Sequence, residues 1–331
     1  MTTTKDFGLN GIDELRFAVE DLDSAERFAA DWGLTRIEGA DTLRFRALDG
    51  SGVEFVRTDT SDPRCTPVGD ASGLVEMTWG VDFPENLEAL RAELATDREA
   101  VIDDEGVLRS HDDLGFRLAF RVTRRSDVDY DVTRYNAPRR PARIDERAPR
   151  YDRAQPYEIS HLAIGVDDAW QAAQFYLDRL GFRVSDRYAD RGIFARCSAE
   201  GNHHNVFFMN AKQPGTRFNH LAWKVRDVHE VILGGQAFDA KGWLTFAGPG
   251  RHLVSSACFW YFLTPFGGSW EYAADEDIVT EEWQPQDFAA EAHIFSQWTF
   301  GLEKSDGTLK GPISASRAAG PDPVAEGQFA G

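Results

Sequence analysis

Hydrophobic and polar residues alternate with a period of two along several short segments, and amphipathic stretches with helical spacing follow them. A period of two is typical of strands and a period of 3.6 of helices. The segment IDELRFAVEDLDSAERF (residues 12–28) aligns without a gap with ISHLAIGVDDAWQAAQF (residues 159–175). Each predicts a strand followed by a helix, and Gly33 and Gly181 lie where a left-handed residue suits the helix end.

A second pair of segments repeats the pattern. EMTWGV (residues 76–81) aligns with HLAWKV (residues 220–225), and alternating strands follow each of them. An internal repeat indicates a fold assembled from copies of one unit. The chain is therefore predicted to contain four strand–helix–strands modules, two in each half.

An Arg/Asp/Pro-rich segment separates the halves and predicts a linker or a surface arm. We expect an N-terminal two-module domain at residues 1–123, the linker at 124–156 and a C-terminal two-module domain at 157–283. Residues 284–331 are a C-terminal extension, and their Gly/Ala/Pro/Ser-rich part from Ser305 onward predicts a loose tail.

The chain is acidic, with 36 lysines and arginines against 55 aspartates and glutamates in 331 residues and a formal net charge of −19. Nucleic acids and anionic membranes require a basic surface, so neither is expected as a partner. The sequence shows no leader-like start and no apolar run of about 20 residues, which predicts a cytoplasmic protein. Its three cysteines lack CxxC spacing, so any metal would be held by nitrogen and oxygen.

Three positions of the repeat distinguish the halves. The second half carries His161, His220 and Glu271 where the first carries Glu14, Glu76 and Ala119. Strand alternation places a small residue beside each candidate on its own face, which is typical of a cavity wall. A metal site would therefore lie in the C-terminal half only. His111, His229 and His293 lack such a placement and are interpreted as surface residues.

Two imidazoles and one carboxylate suit a divalent first-row metal and leave coordination positions open for substrate and oxygen. This donor set is typical of non-haem Fe(II) enzymes; Mn(II) binds the same ligands, and ligand type alone does not distinguish zinc. Taken singly, a strand histidine is more often a hydrogen-bonded structural residue, and Glu271 would be an exposed or salt-bridged edge charge. Their coincidence at equivalent repeat positions favours the metal.

With these residues, the C-terminal half resembles the type I extradiol ring-cleavage dioxygenases of the vicinal oxygen chelate (glyoxalase/bleomycin resistance) superfamily. The order of the modules resembles this family from about Leu9 to Trp283. The motifs that are specific to the family lie between Ile159 and Asp275. Its strongest part is GPGRH, an aromatic strand with a tyrosine, TPFG, and a glutamate followed by a tyrosine. It implies an α+β fold in which four βαβββ modules pair into two half-open barrels, of which only the second binds metal.

The resemblance also implies roles for individual residues. The metal ligands map onto His161, His220 and Glu271, and the further catalytic residues onto His204, His252 and Tyr261. His204 would exchange protons with the substrate, His252 would hydrogen-bond a substrate oxygen, and Tyr261 would stabilise an intermediate. His203 is a rival to His204, and Arg251 is either a substrate anchor or part of a salt bridge.

The implied reaction is Fe(II)-dependent cleavage of a catechol ring by O₂ next to the diol, in aromatic catabolism, by a homo-oligomer. An uncharged substituted catechol is favoured as substrate. Two alternatives stay open: a metal-dependent isomerase or lyase of the same superfamily, and a non-enzymatic binder of small molecules. A requirement for oxygen would separate the dioxygenase from the isomerase or lyase. A requirement for metal would separate both enzymes from the non-enzymatic binder.

Overall fold

The computed structural model describes residues 5–39, 42–131, 133–211, 213–289, 295–300 and 313–314. The first half contains two βαβββ modules joined in an eight-stranded sheet of order β2-β3-β4-β1-β5-β8-β7-β6. Their elements are β1 (Leu9–Val19), α1 (Leu22–Trp32), β2 (Thr35–Arg36), β3 (Leu43–Arg46), β4 (Gly52–Arg57), β5 (Gly73–Val81), α2 (Pro84–Leu94), β6 (Val101–Ile102), β7 (Leu108–His111) and β8 (Arg117–Val122).

The second half repeats the two modules and adds short strands, mostly after them. Its elements are β9 (Glu158–Val166), α3 (Ala169–Arg179), β10 (Arg183–Tyr188), β11 (Gly192–Arg196), β12 (Gly201–Asn202), β13 (Val206–Asn210), β14 (Arg217–Lys224), α4 (Val228–Asp239), β15 (Thr245–His252), β16 (Cys258–Leu263), β17 (Ser269–Ala274), β18 (Ile278–Val279), β19 (Gln286–Phe288), β20 (Ser296–Thr299) and β21 (Ile313–Ser314). The larger sheet has the order β19-β10-β11-β13-β9-β14-β17-β16-β15-β20-β21, and β12 pairs with β18. The prediction of an α+β fold with four βαβββ modules is confirmed.

Polar caps and glycines set the bounds of the helices. Asp21, Asp168 and Asp227 accept backbone N–H groups at the starts of α1, α3 and α4, as expected of N-cap carboxylates. Gly33 ends α1 with φ of 105°, and a Cβ there would lie 2.1 Å from the carbonyl oxygen of Ala154. Glycine therefore both ends the helix and allows the linker to approach it.

The strand register confirms the alignment of the two halves. Glu14 pairs with Thr78 on the neighbouring strand, and Thr78 pairs in turn with Ala119. In the second half, Ala222 stands between His161 and Glu271 in the same way. His161 and Glu271 therefore occupy the positions that Glu14 and Ala119 occupy in the first half.

Ion pairs fill the equivalent place in the first half. Arg46 contacts Glu14 at 3.2 Å, and Arg109 contacts Glu76 at 2.8 Å. Arginine side chains thus neutralise the buried carboxylates that replace the histidines. Within the described residues, the groups of side chains that fit a metal ion all lie in the second half.

Aromatic packing joins the two halves. Trp32 stacks on Tyr272 with ring centroids 3.7 Å apart, and the Tyr272 hydroxyl donates to the Trp32 carbonyl oxygen at 2.8 Å. Both rings lie in one apolar cluster that contains residues of both sheets. In the described part of the chain, the helices are too short or too polar to span a membrane.

Replacing Trp32 with alanine is expected to lower the free energy of unfolding by about 3–5 kcal/mol, because a buried indole is lost from the contact between the halves. Urea denaturation followed by tryptophan fluorescence measures the change. Trp170→Ala is the matched control, since Trp170 is 52% exposed, and should change the free energy by about 0.5 kcal/mol or less. Equal effects of the two substitutions would contradict the inferred role of Trp32.

Asp112 provides a pH-dependent contribution to stability. Burial raises its pKa to about 6, although hydrogen bonds from Tyr176, Phe116 and Leu114 oppose the shift. A carboxyl whose pKa is raised on folding stabilises the folded state below its ordinary pKa and loses that contribution as pH rises through the folded value. Between about pH 4 and pH 7, the free energy of unfolding of the wild type should therefore fall by about 2–3 kcal/mol more than that of Asp112→Asn.

Chemical denaturation of both proteins in metal-free buffer across that pH range measures the difference. Asp113→Asn is the control, because the neighbouring Asp113 side chain is 61% exposed. Parallel pH profiles for the wild type and Asp112→Asn would show that the buried carboxyl does not titrate as described.

Candidate metal centre and active-site cavity

Three adjacent strands of the larger sheet bring the predicted metal ligands together. His161 lies on β9, His220 on β14 and Glu271 on β17, with β14 in the middle. Ala222 on β14 pairs with both His161 and Glu271. Because this central residue is small, the longer side chains on either side can converge above it.

The donor atoms of these three side chains face a common point. The Nε2 atoms of His161 and His220 are 3.3 Å apart, and Glu271 Oε2 lies 3.5 Å from the first and 3.8 Å from the second. All three residues are buried, and Glu271 Oε2 has no hydrogen-bond partner among the described residues. A buried anionic oxygen without a partner is costly, and a divalent cation between the three atoms would compensate it. The residues therefore fit a metal ion.

The pKa shifts of Glu271 and His220 favour the protonation states in which these side chains can bind a metal. Burial alone would raise the pKa of Glu271, but the neighbouring His161 and His252 hold it well below its ordinary range. Burial lowers the pKa of His220 to about 3, against the opposing charge of Glu271. Glu271 is thus anionic and His220 neutral at pH 7, as metal coordination requires.

A second carboxylate, which the sequence did not point to, lies behind the metal ligands. Glu276 Oε1 is 3.5 Å from Nδ1 of His204 and 3.9 Å from Nδ1 of His161. Ser160 donates to Glu276 Oε2 at 2.7 Å, and its hydroxyl oxygen lies 3.1 Å from His161 Nδ1. Outer hydrogen bonds of this kind orient ligating histidines. Glu276 follows the end of β17, where strand alternation no longer predicts a face.

His252 and Tyr261 lie on the Glu271 side of the cavity. His252 Nδ1 donates to the carbonyl oxygen of Phe295 at 2.9 Å, and its Nε2 lies 3.0 Å from the Tyr261 hydroxyl. Glu271 Oε1 is 3.3 Å from the same Nε2. The rings of Phe259 and Phe295 enclose the imidazole, with centroids 4.1 and 4.9 Å away. Phe295 comes from the C-terminal extension, and no sequence pattern indicated it.

Of the remaining candidates, His204 reaches the cavity, whereas His203 and Arg251 are not among the described residues that line it. His203 is fully buried and lies 2.8 Å from Asp186 Oδ2. Arg251 forms an ion pair with Asp275 at 2.7 Å.

The three histidines that we interpreted as surface residues differ in their surroundings. His111 is exposed, and His229 is partly buried and stacks on Tyr135. His293 lies outside the described residues.

The cavity has a volume of about 420 Å³, including the space that opens to solvent. Its wall away from the metal ligands is mainly apolar, and the rings of Phe194 and Phe207 stack there at 4.0 Å with an interplanar angle of 6°. Among the described residues, the lining includes no lysine or arginine. The lining consists of His161, Tyr188, Phe194, His204, Phe207, Met209, His220, His252, Val254, Ser255, Tyr261 and Phe295.

Known proteins are similar to this chain in fold or in sequence. "Metapyrocatechase 2" of Cupriavidus necator is 28% identical over 305 residues, which cover 88% of this chain and 89% of that protein. The Mn(II)-bound glyoxalase of Novosphingobium aromaticivorans has a TM-score of 0.69 at 23% identity, over 92% of this chain and 95% of the other. BphC, described as a halotolerant catechol dioxygenase, has a TM-score of 0.70 at 16% identity, over 93% and 99%.

The two solved structures show the fold, and a family model adds a match in sequence. Residues 158–272, which include all three candidate ligands, match the Glyoxalase/Bleomycin resistance protein/Dioxygenase superfamily. The match begins at the first strand of the second half and ends just after Glu271. Residues 158–272 of the chain are therefore similar in sequence to this superfamily.

Proposed function

We propose that the protein is an extradiol dioxygenase that opens the ring of a catechol next to the diol with O₂, using Fe(II) held by His161, His220 and Glu271. One observation carries the proposal: His204, His252 and Tyr261 line the same cavity as His161 and His220, whose donor atoms converge with that of Glu271. The similarity to a metapyrocatechase over most of both chains supports it.

The bound metal would supply Lewis acidity towards the two catechol oxygens and open coordination positions next to the three ligands. Mn(II) fits the same donor atoms, and the fold is shared with a Mn(II)-bound protein.

The residues around the site divide the remaining tasks. His204 is a buried, neutral imidazole, because burial and the neighbouring histidines lower its pKa well below the ordinary value, so it can accept a proton from a substrate hydroxyl. His252 and Tyr261, already hydrogen-bonded to each other, offer polar contacts to a substrate oxygen on the opposite side. The stacked Phe194 and Phe207 provide an apolar wall for a planar ring and exclude water.

A metal-dependent isomerase or lyase is the second candidate. Glu276 places an additional carboxylate near His161 and His204, and such enzymes often use a second carboxylate. They lack the combination of His204, His252 and Tyr261, so the dioxygenase is favoured. Oxygen consumption distinguishes the two reactions directly.

Protein reconstituted anaerobically with Fe(II) is expected to consume O₂ with a small panel of catechols and to release a coloured ring-opened product. Glu271→Ala should lower metal affinity by more than about 100-fold, since loss of a ligand exceeds the 10–100-fold effect of losing an outer hydrogen-bond partner. Oxygen-electrode traces and metal titrations measure the two effects. Glu281→Ala is the control, because the Glu281 side chain is 68% exposed.

Two results would contradict this function. If no catechol supports oxygen uptake although Fe(II) is bound, the protein is not an extradiol dioxygenase for that panel. If Glu271→Ala binds Fe(II) as tightly as the wild type, the proposed metal centre is wrong.

The apolar wall predicts the substituent on the catechol. A carboxylate buried against Phe194, Phe207 and Met209 would lack a cationic partner, at a cost of several kcal/mol. We therefore expect kcat/KM for 4-propylcatechol to exceed that for 3,4-dihydroxyphenylacetate by about 100-fold or more, since each 1.4 kcal/mol is worth tenfold. Steady-state kinetics with both compounds provide the measurement, and equal or reversed values would refute the uncharged substrate class.

A further inference from the structure

Behind His204, a short chain of hydrogen bonds lies outside the cavity. His204 Nδ1 is 3.1 Å from His203 Nδ1, and His203 Nε2 is 2.8 Å from Asp186 Oδ2. Asp186, His203 and His204 are 2%, 0% and 3% exposed. Because these side chains are buried, each hydrogen bond that joins them needs one donor and one acceptor.

The direction of these hydrogen bonds follows from Asp186, which can only accept. Its Oδ1 accepts the backbone N–H of Gln286 at 2.7 Å, so Oδ2 accepts from His203 Nε2. A neutral imidazole carries one proton. With that proton on Nε2, His203 Nδ1 is an acceptor, and His204 Nδ1 must donate to it.

The charge of a second neighbour favours the same arrangement. Glu276 Oε1 lies 3.5 Å from His204 Nδ1 without forming a hydrogen bond, and a carboxylate oxygen at this distance attracts a proton on Nδ1. The hydrogen bond to His203 and the charge of Glu276 thus both place the proton of neutral His204 on Nδ1, and Nε2 keeps its lone pair.

His203 itself is firmly held. Its backbone N–H donates to the carbonyl oxygen of Asp277 at 3.0 Å, and the ring of Trp283 meets it edge to face at 5.6 Å. β19, which contains Gln286, pairs in parallel with β10, which contains Asp186. The hydrogen-bond chain is thus built on paired strands and a fixed backbone.

We propose that Asp186 and His203 are positioning residues that fix His204 in the tautomer with its proton on Nδ1. In this state, Nε2 of His204 can take the proton of a substrate hydroxyl, as in a catalytic triad where an aspartate selects the tautomer of the histidine base. The catalytic consequence rests on the proposed function, whereas the tautomer itself does not. His203 then supports His204 from behind instead of replacing it.

The first experiment measures the tautomer in the metal-free, substrate-free wild type. The ¹⁵N spectra of protein labelled at its histidines report which ring nitrogen carries the proton, and the spectrum of His204→Gln assigns the His204 signals. We expect a protonated Nδ1 and a bare Nε2 near neutral pH. A proton on Nε2 would overturn the proposal.

The second experiment reverses the hydrogen-bond chain with Asp186→Asn. The amide oxygen keeps the bond from Gln286, so the amide NH₂ faces His203 Nε2 and drives the His203 proton to Nδ1. His203 can then no longer accept from His204. We expect kcat to fall about 100-fold, as for loss of proton transfer by a positioned group, with KM and metal affinity changed less than about threefold.

Asp287→Asn is the matched control, since Asp287 lies on β19 next to Gln286 and has a 68% exposed side chain paired with Arg187. It should leave kcat and the tautomer unchanged. Unchanged kcat in Asp186→Asn would overturn the positioning role. The wild-type spectrum tests the tautomer even if the variant does not fold, and the expected spectrum in a protein without oxygenase activity would support the tautomer while refuting the proposed function.

Discussion

The buried carboxylate of Glu271 is the constraint on which the second half of the molecule depends. Its side chain is fully buried, and one oxygen has no hydrogen-bond partner among the described residues. A charge in such surroundings needs compensation by another charge. The neighbouring strands provide two imidazoles, which can hold a cation together with this carboxylate, and the small side chain of Ala222 leaves the space for it.

The first half meets a similar constraint in a different way. Glu14 and Glu76 are buried at the positions of the two histidines, and long arginine side chains pair with them. Arginine brings its own positive charge together with a bulky stem, so this solution fills the space that a metal and a substrate would occupy. The same arrangement of strands thus contains buried ion pairs in the first half and a cavity in the second.

Strand periodicity predicted the module order and the shared face of His161, His220 and Glu271, because side chains alternate reliably within a strand. It did not predict Glu276, which follows the end of β17, or Phe295, whose contact depends on where β20 pairs. Periodicity also left His203 and His204 as rivals. Both precede β13, outside any strand, and only the fold shows that one lines the cavity and the other lies behind it.

The C-terminal segment contributes to both sides of the site although it supplies none of the candidate ligands. β19 joins one edge of the larger sheet and β20 joins near the other, and from there Gln286 donates to Asp186 and Phe295 accepts from His252. Part of the support for Asp186 and His252 is therefore encoded after Glu271, the last of the candidate metal ligands in the sequence. Sequence changes after Val279 can retune the chemistry of this protein while its metal ligands stay as they are.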